Sequence, residues 1–267
     1  MHDHLSSDGA RTSLHMQRRL PHPPERVWRA LTEPDELRHW FPGRMSIDGD
    51  RIVYDFGPEG RVLAFDPPRL FAHTWGADEL RWEIRPDGEA SVLTLTHTFG
   101  DRFGAASYAA GWHTCVRAMA AVLDGRPVAG ERDSARLHEE FVALLGLDGA
   151  QADGPGVRYE RQLTRSAAQT WGWLSGEQAR VGAPPPPAFV PPGVVAGAVV
   201  ALESGKLVRY GAAGGTIGWE LAEGTGQGPR LIVTDTAQAA PASAWRTHIE
   251  ALSADLTDLP PEQTPAR

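Results

Sequence analysis

The chain has 267 residues and a formal net charge of −8 at pH 7. An acidic protein is not attracted to phosphate backbones or anionic lipid, so nucleic acid is excluded as an expected partner. The single cysteine, Cys115, rules out an intrachain disulfide, which fits a reducing compartment. The longest apolar run, 194–202, is far shorter than the ~20 residues that cross a bilayer. We therefore expect no membrane insertion, a cytoplasmic location and, from the arginine-, alanine- and proline-rich composition, a bacterial source.

The N-terminal part of the chain predicts one strand and two short helices. Residues 1–12 are polar and are expected to form a disordered tail. Residues 14–20 are predicted to form a first strand, and Pro23-Pro24 predicts the start of a helix, because proline suits the first helical turn. A second short helix is predicted over 35–40, ended by Pro42-Gly43.

Residues 45–99 are short apolar runs separated by turn residues such as Asp48-Gly49 and Asp87-Gly88. Regular turns with no helix between them predict an antiparallel meander. The predicted strands are 52–56, 61–65, 70–75, 80–85 and 92–99.

A long amphipathic helix follows the meander and stops at Gly125. Its apolar stripe recurs at helical spacing through Tyr108, Trp112, Val116 and Met119. Because both the helix and the sheet must cover an apolar face, the simplest arrangement lays the helix across the concave side of the sheet. The predicted class is α+β, with a curved antiparallel sheet wrapped around a long C-terminal helix and a cavity between them.

The second half of the chain repeats the pattern of the first. Residues 13–128 are expected to form one domain, 129–155 a linker that contains a short helix, and 156–260 a second, diverged copy of the same domain. Three tryptophan pairs carry the repeat in order, Trp28 with Trp171, Trp82 with Trp219, and Trp112 with Trp245. In place of the second short helix, the second copy has the proline-rich segment 183–193, which cannot continue a helix.

The first copy resembles a known family. The segments 23–32 (PPERVWRALT), 66–70 (DPPRL) and 93–97 (LTLTH), followed by Gly111-Trp112, are similar to the activator of heat-shock-protein-90 ATPase group of the START/Bet v 1-like (SRPBCC) superfamily. The resemblance implies a helix-grip fold with a cavity. It also implies a range of functions, from lipid and polyketide binding to cyclases, dehydratases and co-chaperone domains. It brings no strict catalytic motif.

Two histidines are the main candidates for polar contacts inside the cavity. His97 shares a strand face with Leu95 and Phe99, and His73 shares one with Trp75. Either histidine binds or protonates a ligand oxygen if its face is concave, and is otherwise hydrogen-bonded to a neighbour. With the aromatic residues that must cover the sheet or line the cavity, the candidate ligand-binding residues are His97, His73, Trp75, Trp40, Tyr54, Phe56, Tyr108 and Trp112.

The sequence shows no HExxH metal motif and no GxSxG nucleophile motif, so we expect no metal, no cofactor and no assigned catalytic residue. The predicted function is binding of a small, mostly apolar lipid-, aromatic- or polyketide-like ligand in the first domain, without chemistry of its own. One alternative is a cyclase- or dehydratase-like lyase or isomerase, which needs two converging polar groups. Another is a co-chaperone-like interaction protein, and a protein partner is considered for the second domain.

Overall fold

The computed structural model describes residues 3–128, 133–149, 151–153, 156–226 and 228–260. The chain divides into two compact units, Met1–Leu137 and His138–Arg267. Parts of the predicted linker (129–132, 150 and 154–155) and of the predicted tail (1–2) lie outside the described residues. No helix in the described part of the chain is both long and apolar enough to cross a membrane.

The first unit has an eight-stranded antiparallel sheet with the strand order β1-β2-β8-β7-β6-β5-β4-β3. Its elements in chain order are β1 (His4–Ser7), β2 (Thr12–Leu20), α1 (Pro24–Thr32), α2 (Pro34–Leu37), β3 (Met45–Asp48), β4 (Arg51–Tyr54), β5 (Gly60–Asp66), β6 (Leu70–Trp75), β7 (Asp78–Asp87), β8 (Ala90–Phe99) and α3 (Ala105–Leu123).

The core of the first unit lies between one face of the sheet and the helices. Alternation of apolar and polar residues along β2 buries Leu14 and Met16 while their neighbours stay more exposed. The helix α3 buries Trp112, Val116 and Met119 at successive turns, as its apolar stripe requires. The hydrogen bond and ring contacts of Trp112 with β7 and β8 hold this helix against the sheet.

Three elements differ from the predictions. Residues 4–7 form an edge strand, not a disordered tail, because β1 pairs with β2 and the buried carboxylate of Asp3 binds Arg18 at 2.6 Å. The helix α2 has four residues, so it ends before Trp40. The strand β3 was not predicted, since its four residues carry too short an alternating pattern to stand out.

The second unit has a six-stranded antiparallel sheet with the order β11-β12-β13-β14-β10-β9. Its elements are β9 (Gln151–Asp153), β10 (Gly156–Gln162), α5 (Ala167–Trp173), β11 (Val199–Glu203), β12 (Leu207–Ala212), β13 (Gly215–Ala222), β14 (Arg230–Asp235) and α6 (Ala242–Asp258). The helix α4 (Ser134–Leu144) precedes them.

The long helix α6 closes the second unit as α3 closes the first. It buries Trp245, Ile249 and Leu252 along one face. The buried guanidinium of Arg161 on β10 binds Glu250 of α6 at 2.9 Å, and also binds Glu139 of α4. A curved antiparallel sheet with a long C-terminal helix is therefore present in both units, which confirms the predicted α+β class.

Candidate functional site

The two candidate histidines lie in one row across the sheet of the first unit. The strand register pairs His73 with Leu80, and Leu80 with His97. Residues paired in this way on neighbouring strands project from the same face of a sheet. His73 and His97 are both almost fully buried on the face that α3 covers. The sequence left open whether these strand faces are concave, and the register with the burial places both histidines on the inward face.

Both ring nitrogens of His97 are already engaged within the protein. The indole Nε1–H of Trp112 donates to His97 Nδ1 at 3.1 Å. Because an indole can only donate, Nδ1 is unprotonated and the ring proton lies on Nε2. That Nε2–H donates to Asp78 Oδ2 at 3.2 Å, and the hydroxyl of Tyr108 donates to the same oxygen at 3.2 Å. Burial lowers the pKa of His97, so the ring is held neutral between strand and helix.

His73 is hydrogen-bonded through one nitrogen only. Its Nδ1 lies 3.0 Å from the hydroxyl of Tyr54 and 3.3 Å from the carbonyl oxygen of Thr74. Burial lowers the pKa of His73 to about 4, so the ring is neutral at pH 7. Its Nε2 atom has no hydrogen-bond partner among the residues that the structure describes. His73 therefore keeps one polar atom available to another molecule.

His73 lies in the wall of an apolar cavity between the sheet and the helices. The space left between the side chains is about 20 Å³, room for about one water molecule. The ring of Phe41 lies in the cavity wall, with its centroid 6.4 Å from those of both Trp112 and Tyr54. The lining residues are Leu31, Leu37, Trp40, Phe41, Met45, Tyr54, Phe71, His73, Trp75, Leu80, Trp82 and Trp112.

A buried polar atom without a partner belongs to this wall. The indole nitrogen of Trp75 is inaccessible to solvent and has no hydrogen-bond partner among the described residues. Gly57 lies against it, and a Cβ at that position would come within 3.0 Å of the nitrogen. The free donor of Trp75 and the free nitrogen of His73 are thus the polar features of an otherwise apolar lining.

The structure places five of the eight predicted site residues in the cavity wall. These are Trp40, Tyr54, His73, Trp75 and Trp112.

The other three predicted residues lie outside the lining. Phe56 packs behind Tyr54 and Trp75, and His97 and Tyr108 pack together beyond Trp112. Sequence reasoning missed Phe41, which lies in a loop without periodicity, and Phe71, although Phe71 shares the inward face of its strand with His73.

An open groove adjoins the cavity on the outside of the β3–β4 hairpin. It has a volume of about 350 Å³ and lies beside α2. Met45 and Tyr54, which face each other across the hairpin, line both spaces. The groove is otherwise lined by Pro34, Arg38, Arg44, Ser46, Val53 and Asp55.

The second unit has a matching row with different chemistry. Its register aligns Tyr210, Ile217 and Asp235 across β12, β13 and β14, as His73, Leu80 and His97 align in the first unit. The hydroxyl of Tyr210 donates to the carbonyl of Phe189 at 2.7 Å. Phe189 comes from the proline-rich segment and is fully buried against Trp219.

The carboxylate of Asp235 accepts hydrogen bonds from groups within the second unit. The indole of Trp245 donates to its Oδ2 at 2.9 Å, and three backbone N–H groups donate to the same carboxylate. The sequence left open whether the space beneath the missing helix is exposed or collapsed. In the structure, Phe189 of the proline-rich segment is fully buried there and packs against Trp171 and Trp219.

These features define the first unit as a helix-grip domain, in which a long helix crosses a curved sheet over an apolar cavity. Residues 21–124 match the family model described as Activator of Hsp90 ATPase homolog 1-like protein. The resemblance carried by the sequence motifs is confirmed for this part of the chain. A comparison with curated proteins found no match.

Solved structures with similar folds were also found. CalU16 from Micromonospora echinospora is 20% identical, with a TM-score of 0.46, over 53% of this chain and 92% of that chain. The BPP1335 protein of Bordetella parapertussis is 25% identical, with a TM-score of 0.42, over 51% of this chain and 86% of that chain. DynU16, described as a protein in the dynemicin biosynthetic locus, is 19% identical, with a TM-score of 0.41, over 92% of this chain and 96% of that chain.

Proposed function

We propose that the first unit binds a small, mostly apolar molecule in its cavity, with His73 Nε2 as the hydrogen-bonding contact. The observation that carries the proposal is the pairing of an aromatic, buried lining with a polar ring atom that has no protein partner. Ligand sites are mostly apolar pockets with a few placed polar groups, and the described lining has this composition.

Binding requires Phe41 to move, because the space left beside it holds only about one water molecule. Phe41 is half-buried and lies between α2 and β3, in a segment that is neither helix nor strand. Its ring contacts Trp40, Phe56 and Trp112, so a flat apolar ligand replaces these aromatic contacts with similar ones. We propose that the ligand takes the place of this ring.

The same geometry favours binding over cyclase or dehydratase chemistry. General acid–base catalysis on a bound substrate needs polar groups that converge on the reacting atoms. His97 was the second such candidate, but Trp112 and Asp78 engage both of its ring nitrogens. A ligand in the cavity therefore meets His73 without a second histidine beside it.

The proposal is tested by titrating the full chain with 2-acetylnaphthalene, a neutral aromatic ketone, and following the indole N–H signals by ¹⁵N NMR. We expect the signals of Trp75 and Trp112 to shift, and those of Trp219 and Trp245 to stay. His73→Leu should weaken binding of the ketone by roughly three- to tenfold, as for the loss of one hydrogen bond, and leave binding of naphthalene unchanged.

Tyr210→Phe, at the matching position of the second unit, is the control and should change neither affinity. Shifts confined to Trp219 and Trp245 would move the site to the second unit. If neither 2-acetylnaphthalene nor naphthalene binds, the proposal is overturned and the interaction-protein alternative is favoured.

The remaining expectations from the sequence stand as proposals. We propose a cytoplasmic location, a bacterial source, two separable domains and a protein partner for the second unit. The domains extend beyond the expected bounds 13–128 and 156–260, because β1 and β9 pair with the sheets of the first and second units. The domain boundaries can be checked by limited proteolysis, since cleavage concentrates in exposed connecting segments.

A further inference from the structure

Resting on the proposed function, we infer that the ligand is an amphipathic anion. Its apolar end occupies the aromatic cavity, and its acidic group, such as a carboxylate, lies in the adjoining groove beside Arg44. The juxtaposition of the groove with the cavity carries this inference.

The two spaces share two side chains of their walls. Met45 and Tyr54 are paired across the end of the β3–β4 hairpin and line both the cavity and the groove. Methionine is unbranched and repacks readily, so this partition can open without a change in the sheet. With a volume of about 350 Å³, the groove has the size of a small-molecule site, whereas the inner cavity alone does not.

The backbone of Arg44 is hydrogen-bonded to Asp55, while the side chain of Arg44 is exposed. The Arg44 N–H donates to Asp55 Oδ1 at 2.8 Å, and the Asp55 N–H donates to the Arg44 carbonyl at 3.1 Å. Gly43 permits this close approach, because a Cβ there would collide with Phe56 and Asp55. The guanidinium of Arg44 has no hydrogen bond or ion pair with any residue that the structure describes.

The groove has two other charged groups, Arg38 and Asp55. Arg38 is paired with Asp35 at 3.4 Å, and one carboxylate oxygen of Asp55 accepts the backbone N–H of Arg44. Arg44 therefore supplies a positive charge with no ion pair among the described residues, in the wall of the groove that adjoins the cavity, in a protein whose net charge is −8. A guanidinium in this position recognises a carboxylate through charge-assisted hydrogen bonds.

The test uses two probes of equal shape, 6-hydroxy-2-naphthoate and the neutral 6-hydroxy-2-naphthamide, titrated into the full chain by calorimetry. We expect the anion to bind more tightly. Arg44→Gln should weaken the anion roughly two- to fivefold, as for an exposed ion pair, and leave the amide unchanged. Raising NaCl from ~0.02 M to ~0.5 M should remove the preference for the anion.

Arg117→Gln is the matched control, an exposed arginine on α3 outside the groove, and should alter neither affinity. Equal binding of the two probes, with both weakened by His73→Leu and neither by Arg44→Gln, would overturn the anion proposal alone. Failure of both probes to bind, or insensitivity of both to His73→Leu, would instead overturn the proposed function.

Discussion

Replacing Trp112 separates the packing of the long helix from its hydrogen bond to the sheet. Trp112 is 6% exposed, packs edge-on against Trp82 with a centroid distance of 5.3 Å, and donates its N–H to His97. Trp112→Phe keeps an aromatic ring and removes only the donor. It leaves His97 Nδ1 buried without a partner, which we expect to lower the free energy of unfolding by about 1–3 kcal/mol.

Trp112→Ala removes the ring as well as the donor. Large-to-small changes of buried aromatic residues destabilise proteins by about 3–5 kcal/mol, and we expect a value in that range. Arg117→Ala, exposed on the same helix, should change stability by less than about 0.5 kcal/mol. Equilibrium urea unfolding of the full chain, followed by circular dichroism and fitted to two transitions where two occur, measures all three variants.

A double-mutant cycle isolates the hydrogen bond. Combining Trp112→Phe with His97→Leu removes both partners, so the pair should cost less than the sum of the single changes. Strict additivity would show that the Trp112–His97 bond does not contribute to stability. A Trp112→Phe variant as stable as the wild type, or an Arg117→Ala variant as unstable as Trp112→Ala, would refute the assignment of this helix face.

Further measurements follow from the burial of polar and aromatic groups. The pKa of His73 in the folded state, about 4, lies below its ordinary value of 6.5, so the unfolded chain binds the extra proton. Stability should therefore fall by about 3 kcal/mol between pH 6.5 and pH 4, and His73→Phe should remove that part of the slope in urea unfolding measured across this range. Phe189→Ala should lower the unfolding free energy of the second unit by about 3–5 kcal/mol in urea unfolding, and added benzene should partly restore it by filling the space. Asp3→Asn should break the buried pair with Arg18 and speed amide exchange in residues 4–7 but not in β8, as seen by hydrogen-exchange mass spectrometry.

Local patterns explain why much of the first unit could be predicted from the sequence. The strands β6, β7 and β8 alternate inward and outward residues, and α3 repeats its apolar residues at helical spacing. These periods fix which side chains share a face, so His73 and Trp112 could be assigned to the cavity before the structure was known. The edge strand β1 was missed because its stability comes from backbone pairing and the Asp3–Arg18 contact, not from an apolar pattern.

The contacts that decide the chemistry are long-range and were not readable in the sequence. Nothing local distinguishes His97, whose nitrogens are engaged by residues 19 and 15 positions away, from His73, which keeps one nitrogen free. The position of Phe41 inside the cavity is likewise set by folding of a loop onto aromatic residues from distant strands. Sequence periodicity therefore located the wall of the site but not its free polar atom.

The matching rows of the two sheets explain why we assign binding to the first unit. Where the first unit has His73, the second has Tyr210. The hydroxyl of Tyr210 donates a hydrogen bond to the carbonyl of Phe189. Phe189 comes from the proline-rich segment that the repeat prediction aligns with the second short helix of the first unit. The tandem repeat itself stays a prediction, which this row-by-row correspondence supports. On that prediction, the first unit has Phe41 in a loop near the free nitrogen of His73. The second unit has the fully buried side chain of Phe189 in the equivalent place.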